Sequence, residues 1–168
     1  IENLELRSAR PPYQFTDRAG NPQTYSANAA AIYVEKAQNL TIRNCILRDS
    51  GNGLFAGSPA AQPSRDFLIE GNYIYGNGNT GSAFEHNNYT AVLGITFQYN
   101  RFGPLRAGTS GNGLKDRSAG LVVRYNWIEG GNRQLDLVDA EDSSVIAGDA
   151  SYRSTFVYGN VLIEPEAD

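Results

Sequence analysis

This chain of 168 residues contains no Met, one Cys, one His and one Trp, and only 19% of its residues are charged. A lone Cys45 excludes an intrachain disulfide and any zinc site built on several thiolates. No apolar run approaches the roughly 18 to 20 residues that a membrane-spanning helix requires, so no membrane partner is expected. The 14 Lys and Arg against 18 Asp and Glu give a net charge of −4 and no broad cationic face, which argues against duplex nucleic acid as a partner. There is no basic segment followed by an apolar stretch, and with Ile1 first and no Met the chain reads as a mature form or an excised piece. What is present is 40% hydrophobic residues, enough for one domain with a real core spanning 1–168 and too many for a disordered chain.

Eighteen Gly, many Asn and no helical periodicity call for a search for internal repeats. The pattern apolar, any, apolar, two of anything, Asn, any, apolar recurs as Phe67, Ile69, Asn72, Ile74, then Ile95, Phe97, Asn100, Phe102, then Leu121, Val123, Asn126, Ile128. Weaker copies flank these: Leu40, Ile42 and Leu47 with Cys45 in the Asn position, and Thr155, Val157, Asn160 and Leu162. Leu4 and Leu6 are read as opening another, with Ala9 in the Asn position. The apolar residues alternate with period two, which predicts strands, and each copy is preceded by a second short alternating segment such as Ile32 and Val34 or Leu135 and Leu137. One repeat therefore holds about three short strands, none able to bury its own apolar side. Stacking solves this, because equivalent residues then lie above one another at roughly 4.8 Å and about six coils make a rod roughly 25 to 30 Å tall. An Asn at each turn carries the donors and acceptors to satisfy the turn's backbone and its neighbours above and below, so the copies predict a ladder of amides. A propeller would lack that column.

In its motifs NLTIRNCIL, FLIEGNYIYGN, ITFQYNRF and LVVRYNWIEGG the sequence resembles the right-handed parallel β-helix proteins of the pectate-lyase-like superfamily over nearly its whole length. The resemblance implies an all-β, single-stranded parallel β-helix, secreted or periplasmic, with a polysaccharide as partner. It is specific for fold and not for activity. Neither end shows a cap, so the chain is expected to be a portion of a longer β-helix or to cover its ends by end-to-end association.

Loops that interrupt the coil fall at residues 10–30, 76–90 and 139–154. Tyr13, Phe15 and Tyr25 of the first read as anchors to the body. The second carries the only His, and His86 with Tyr89 is a candidate general base or substrate clamp, the alternative being a structural hydrogen bond. Ahead of the third, Leu114 facing inward places Lys115 and Arg117 outside, with Arg124 outward on the next strand. Asp136 then sits one coil above, and Asp139, Glu141 and Asp142 at the adjoining bend. This pairing suits β-elimination on a uronic acid polymer, where Lys115 or Arg117 neutralises the carboxylate or takes the proton. The four carboxylates are the hard oxygen ligands that Ca²⁺ would require. The alternative is a surface salt-bridge network worth little per pair.

Polysaccharide lyases of the alginate and chondroitin group look similar around 117–126, with a basic residue about nine positions before the Asn, where this chain has Arg117. They also carry an Arg on the next coil, where this chain has LDLVD. Paired carboxylates for hydrolysis are not evident, which places hydrolysis behind elimination. A C5-epimerase would share the proton abstraction, and a non-catalytic solenoid for carbohydrate binding, adhesion or scaffolding is the reading from another class. Trp127 should face outward with Arg101 and Tyr73 in one column below it, a surface on which sugar rings stack.

Overall fold

The computed structural model describes residues 1–57 and 62–164; the last four residues of the terminal EPEAD stretch lie outside the described residues. Three parallel sheets run along one axis. The first stacks β4 (Ala30–Tyr33), β7 (Asn52–Ala56), β10 (Asn88–Thr90), β13 (Leu114–Asp116) and β16 (Leu135–Leu137). The second stacks β5 (Gln38–Arg43), β8 (Arg65–Glu70), β11 (Leu93–Gln98), β14 (Ala119–Arg124) and β17 (Phe156–Tyr158). The third stacks β1 (Glu5–Arg7), β6 (Ile46–Arg48), β9 (Tyr73–Tyr75), β12 (Arg101–Phe102), β15 (Trp127–Glu129) and β18 (Val161–Ile163). This is the expected parallel β-helix, three strands to a full coil. Register follows the repeat: Leu40, Phe67, Ile95 and Leu121 pair in turn, and Leu47, Ile74, Phe102 and Ile128 do the same. Their side chains form one continuous core with Leu54 and Leu114.

The corner between the second and third sheets explains the repeat. Each second-sheet strand is followed by a residue with positive φ (Asn44, Gly71, Tyr99, Tyr125, Gly159), and the next residue is the ladder position (Cys45, Asn72, Asn100, Asn126, Asn160). Asn100 Oδ1 accepts from both the backbone N–H and the side-chain amide of Asn72, each at 2.9 Å, while Asn100 Nδ2 donates to Ile69 O at 2.8 Å and to Asn126 Oδ1 at 2.9 Å. The same bonds recur one coil up, from Asn126 to Phe97 O and Asn160 Oδ1. The first coil departs from the expectation. Leu6 pairs with Leu47, so Asn3 and Leu4 are its corner residues, and Ala9 is not a rung of this ladder. Ala9 donates instead to Ser50 Oγ, whose own N–H donates to Asn77 Oδ1, on a different polar column.

The interruptions also carry structure. Residues 10–30 hold an antiparallel hairpin of β2 (Gln14–Thr16) and β3 (Pro22–Thr24). Residues 76–90 are not all loop, since their end is strand β10. The 139–154 segment contains a short helix, α1 (Ser144–Ala147), which period-two reading missed; Ser143 Oγ caps it, and Ile146 buries itself against Leu93, Ala119 and Ala140. At the terminal coils the inward residues Leu4, Val157 and Leu162 are exposed, because nothing among the described residues stacks on them.

Candidate functional site

The strands of the first sheet turn alternate residues inward, and the intervening positions form one outward column: Tyr33, Phe55, Tyr89, Lys115 and Asp136. Tyr33 and Phe55 stack with centroids 4.9 Å apart, Tyr89 meets Phe55 edge-on at 5.3 Å, and Lys115 Nζ lies 5.0 Å from the Tyr89 centroid. Arg117 follows β13, its N–H tied to Thr90 O at 2.8 Å, and its guanidinium also reaches over Tyr89 at 5.7 Å. From the other side the 139–154 segment closes in. Arg117 Nη1 donates to Asp142 at 2.8 Å and lies 3.6 Å from Glu141. Between column and segment is a cavity of about 210 Å³, walled by Phe55, Tyr89, Arg117, Asp142, Ser143 and Ile146. The Nε of Arg117 is buried with no hydrogen-bond partner. Burial raises the Tyr89 phenol above its usual pKa, with the nearby Arg117 charge opposing.

Lys115, Arg117 and Tyr89 are thus brought together, and Asp136 stands above Lys115 as the register requires. The remaining candidates go elsewhere. His86 is not a surface base: its ring is buried, its Nδ1 accepts from Asn112 N–H at 2.9 Å, and its own N–H donates to Asn52 Oδ1. It is a rung in a second polar ladder, in which Asn112 Nδ2 goes on to Asp136 at 2.6 Å. Burial lowers its pKa to about 4, with the Lys115 charge adding to the effect, so the imidazole is neutral and its acceptor nitrogen is in use.

The four carboxylates proposed for Ca²⁺ do not converge either. Asp136 accepts from Asn112 and lies 3.8 Å from Arg133, Asp139 accepts from the Tyr152 hydroxyl, and Glu141 and Asp142 hold Arg117. Among the described residues no three of His, Cys, Asp and Glu gather as a metal site. A cation that takes six to eight oxygens does not fit this arrangement.

Tyr73, Arg101 and Trp127 share one outward column as expected, but on the third sheet, not beside Lys115. Arg101 lies over Tyr73 at 5.0 Å and pairs with Glu129 at 2.9 Å. Arg124 is outward on the second sheet, bonded to Gln98 and the Tyr158 hydroxyl.

Three features in and around the pocket escape sequence reasoning. Phe55 and Tyr33 belong to the column by alternation with Leu54 and Ile32, a signal that was available. Ile146 depends on a short helix within a loop and gives none. Asp116 faces inward because Leu114 does, and it is buried, accepting from Thr90 Oγ1 at 2.5 Å and from Ser118 N–H and Oγ–H. Burial raises its pKa to about 6 against the pull of those bonds.

Residues 20–162 match a family model described as a right handed beta helix region. No curated protein and no solved structure matches the chain.

Proposed function

The chain belongs to the right-handed β-helix family, and from that membership we propose that it is a carbohydrate-active protein that grips an acidic polysaccharide by a uronate carboxylate at Arg117 and cleaves it by β-elimination. The observation that carries this reading is Arg117, a residue that lines the pocket and whose buried Nε has no hydrogen-bond partner. A buried donor without an acceptor costs roughly 1–3 kcal/mol, more when the group is charged. A carboxylate laid against Nε supplies that acceptor in a charge-assisted bond. The pocket is sized for one pyranose ring, whose C–H face would rest on Tyr89 and Ile146.

β-Elimination removes the proton beside the carboxylate; its electron pair forms the carbon–carbon double bond as the glycosidic C–O bond breaks. Arg117 neutralises the carboxylate and the developing enolate. Lys115, one rung above Tyr89, takes the proton. Tyr89, kept protonated by burial, gives a proton to the departing oxygen. A secreted or periplasmic location goes with such a substrate.

A second reading, a non-catalytic solenoid that binds carbohydrate or serves as a scaffold, is favoured by Asp142 and Glu141, which already pair with Arg117. Alginate, pectate and glycosaminoglycans, each with and without Ca²⁺, separate the two. Ultraviolet absorbance from an unsaturated sugar end, lost in Lys115→Ala and Arg117→Ala with folding intact, supports elimination. Binding without product supports the second reading, and an inverted uronate without unsaturation indicates an epimerase. Neither binding nor product on any polymer overturns both.

A further inference from the structure

Two arginines far apart in the chain close on a single carboxylate. Asp49, just past β6, accepts from Arg10 Nε at 2.9 Å and from Arg106 Nη2 at 2.8 Å, both on Oδ1. Its other oxygen takes the Tyr13 hydroxyl at 3.1 Å and the Ser8 hydroxyl at 3.4 Å, neutral donors that leave the charge count unchanged. The cluster therefore carries one positive charge in excess. Its cations are also largely withdrawn from water, the Arg10 and Arg106 side chains being 19% and 23% exposed. Two cations held against one carboxylate in a partly dry setting repel each other at a cost that a second anion removes.

The remaining bonds fix both side chains and use up most of their donors. Arg106 Nε donates to Gly78 O at 2.8 Å and its Nη2 to Gly76 O at 3.0 Å, while Arg10 Nη1 donates to Pro11 O at 2.9 Å. One nitrogen is left on each, Arg10 Nη2 and Arg106 Nη1, and neither makes a hydrogen bond among the described residues. Both arginines line a cavity of about 320 Å³, with Thr80 on its rim and Pro11 and Ala27 as an apolar wall. The Thr80 hydroxyl donates only to Ala107 O at a long 3.4 Å, so it can turn toward a ligand. The nitrogen count also selects the shape of the anion. A carboxylate pairs best with a guanidinium that offers two nitrogens side by side, and here neither arginine has two to offer. A tetrahedral group, whose oxygens diverge, accepts one bond from each guanidinium and a third from Thr80. We infer that this cavity is a second anion site, on a different corner of the coil from the Arg117 pocket, that takes the sulfate or phosphate group of a small ester. Its volume exceeds that of the bare anion, which leaves room for the carrier against Pro11 and Ala27.

Calorimetric titration of the full chain at low salt with glucose 6-sulfate and glucose 6-phosphate tests this. At least one ester should bind saturably and raise the Tm of the unaltered chain, and the tighter of the two tells sulfate from phosphate. Glucuronate, titrated into Arg117→Ala so that the other pocket does not contribute, should bind at least tenfold more weakly, while the ester binds that variant as it binds the parent. Arg106→Gln should weaken ester binding tenfold or more. Arg10→Lys keeps the charge beside Asp49 and lacks the terminal nitrogens; it should weaken binding several-fold with Tm held. The inference is overturned if neither ester binds, if glucuronate binds as tightly as the better ester, if Arg117→Ala abolishes ester binding, or if Arg106→Gln and Arg10→Lys bind it as the parent chain does.

Discussion

Replacing Asn100 by Ala tests the physical core of the fold. The amide engages four groups, and truncation leaves two of them, Asn72 N–H and Ile69 O, without the partner they have in the ladder. The others keep one bond each: Asn72 Nδ2 still reaches Ile42 O, and Asn126 Oδ1 still takes Asn100 N–H. Asn100 is almost fully buried, so water does not step in. At roughly 1–3 kcal/mol per stranded group, the loss comes to about 4 kcal/mol. For a chain of this size that lowers Tm by about 8–16 °C. Asn160 is the control: its rung is partly open to solvent, and Asn160→Ala should cost about 1 kcal/mol or less. Urea unfolding, followed by circular dichroism and by hydrogen exchange on coils three to five, measures both. An Asn100→Ala protein within 1 kcal/mol of the parent, or one no worse than Asn160→Ala, would refute the claim that amide satisfaction holds the corner.

The buried ionisable pair sets a pH dependence. His86, at about 4 against 6.5, contributes fully above pH 6.5 and loses that contribution as pH falls toward 4. Asp116, at about 6 against 3.8, contributes fully below pH 3.8 and loses it as pH rises through 6. The two slopes oppose each other between pH 4 and 6. There, urea midpoints of His86→Asn should fall with rising pH and those of Asp116→Asn should climb. Ile146→Ala should cost roughly 2–5 kcal/mol of local stability, read as faster hydrogen exchange confined to 139–154, together with weaker uronate binding. Gly159→Ala combines positive φ with a Cβ 2.6 Å from the Tyr125 ring, and should lower Tm by several degrees in a thermal melt.

Most of the coil was legible because burial writes period two into the sequence and the ladder writes one polar residue at a fixed offset. Phe67, Ile69, Asn72 and Ile74 carry both marks in a single short stretch. The first coil was misaligned because it supplies only a third-sheet strand before the hairpin. Leu4 and Leu6 there imitate the apolar pair that elsewhere precedes the amide, and the true equivalence of Leu6 with Leu47 lies in hydrogen bonding across 41 residues. His86 failed as a candidate base for a related reason. A ladder rung needs an acceptor, not a particular residue type, and an imidazole nitrogen serves Asn112 N–H as an amide oxygen would. The placing of Asp136 one coil above Lys115 followed from register alone. The closing of the pocket by Ile146 did not, because α1 folds only against Leu93 and Ala119.

The inward and outward columns of a β-helix answer to different constraints, and that difference locates function. An inward residue must fill the core or complete a ladder, so Ile69, Phe97 and Asn126 are what geometry requires. An outward residue answers only to its rung neighbours, which leaves most of them explained by pairing: Arg43 with Glu70, Arg48 with Glu5, Arg101 with Glu129. Arg117 departs from that pattern, because its Nη1 pairs with Asp142 and Glu141 while its Nε is buried without a partner. A uronate that engages this guanidinium has to compete with Asp142. Asp142→Asn should therefore tighten oligouronate binding and Arg117→Ala should abolish it, both read by calorimetric titration, and equal binding in the two variants would refute the assignment.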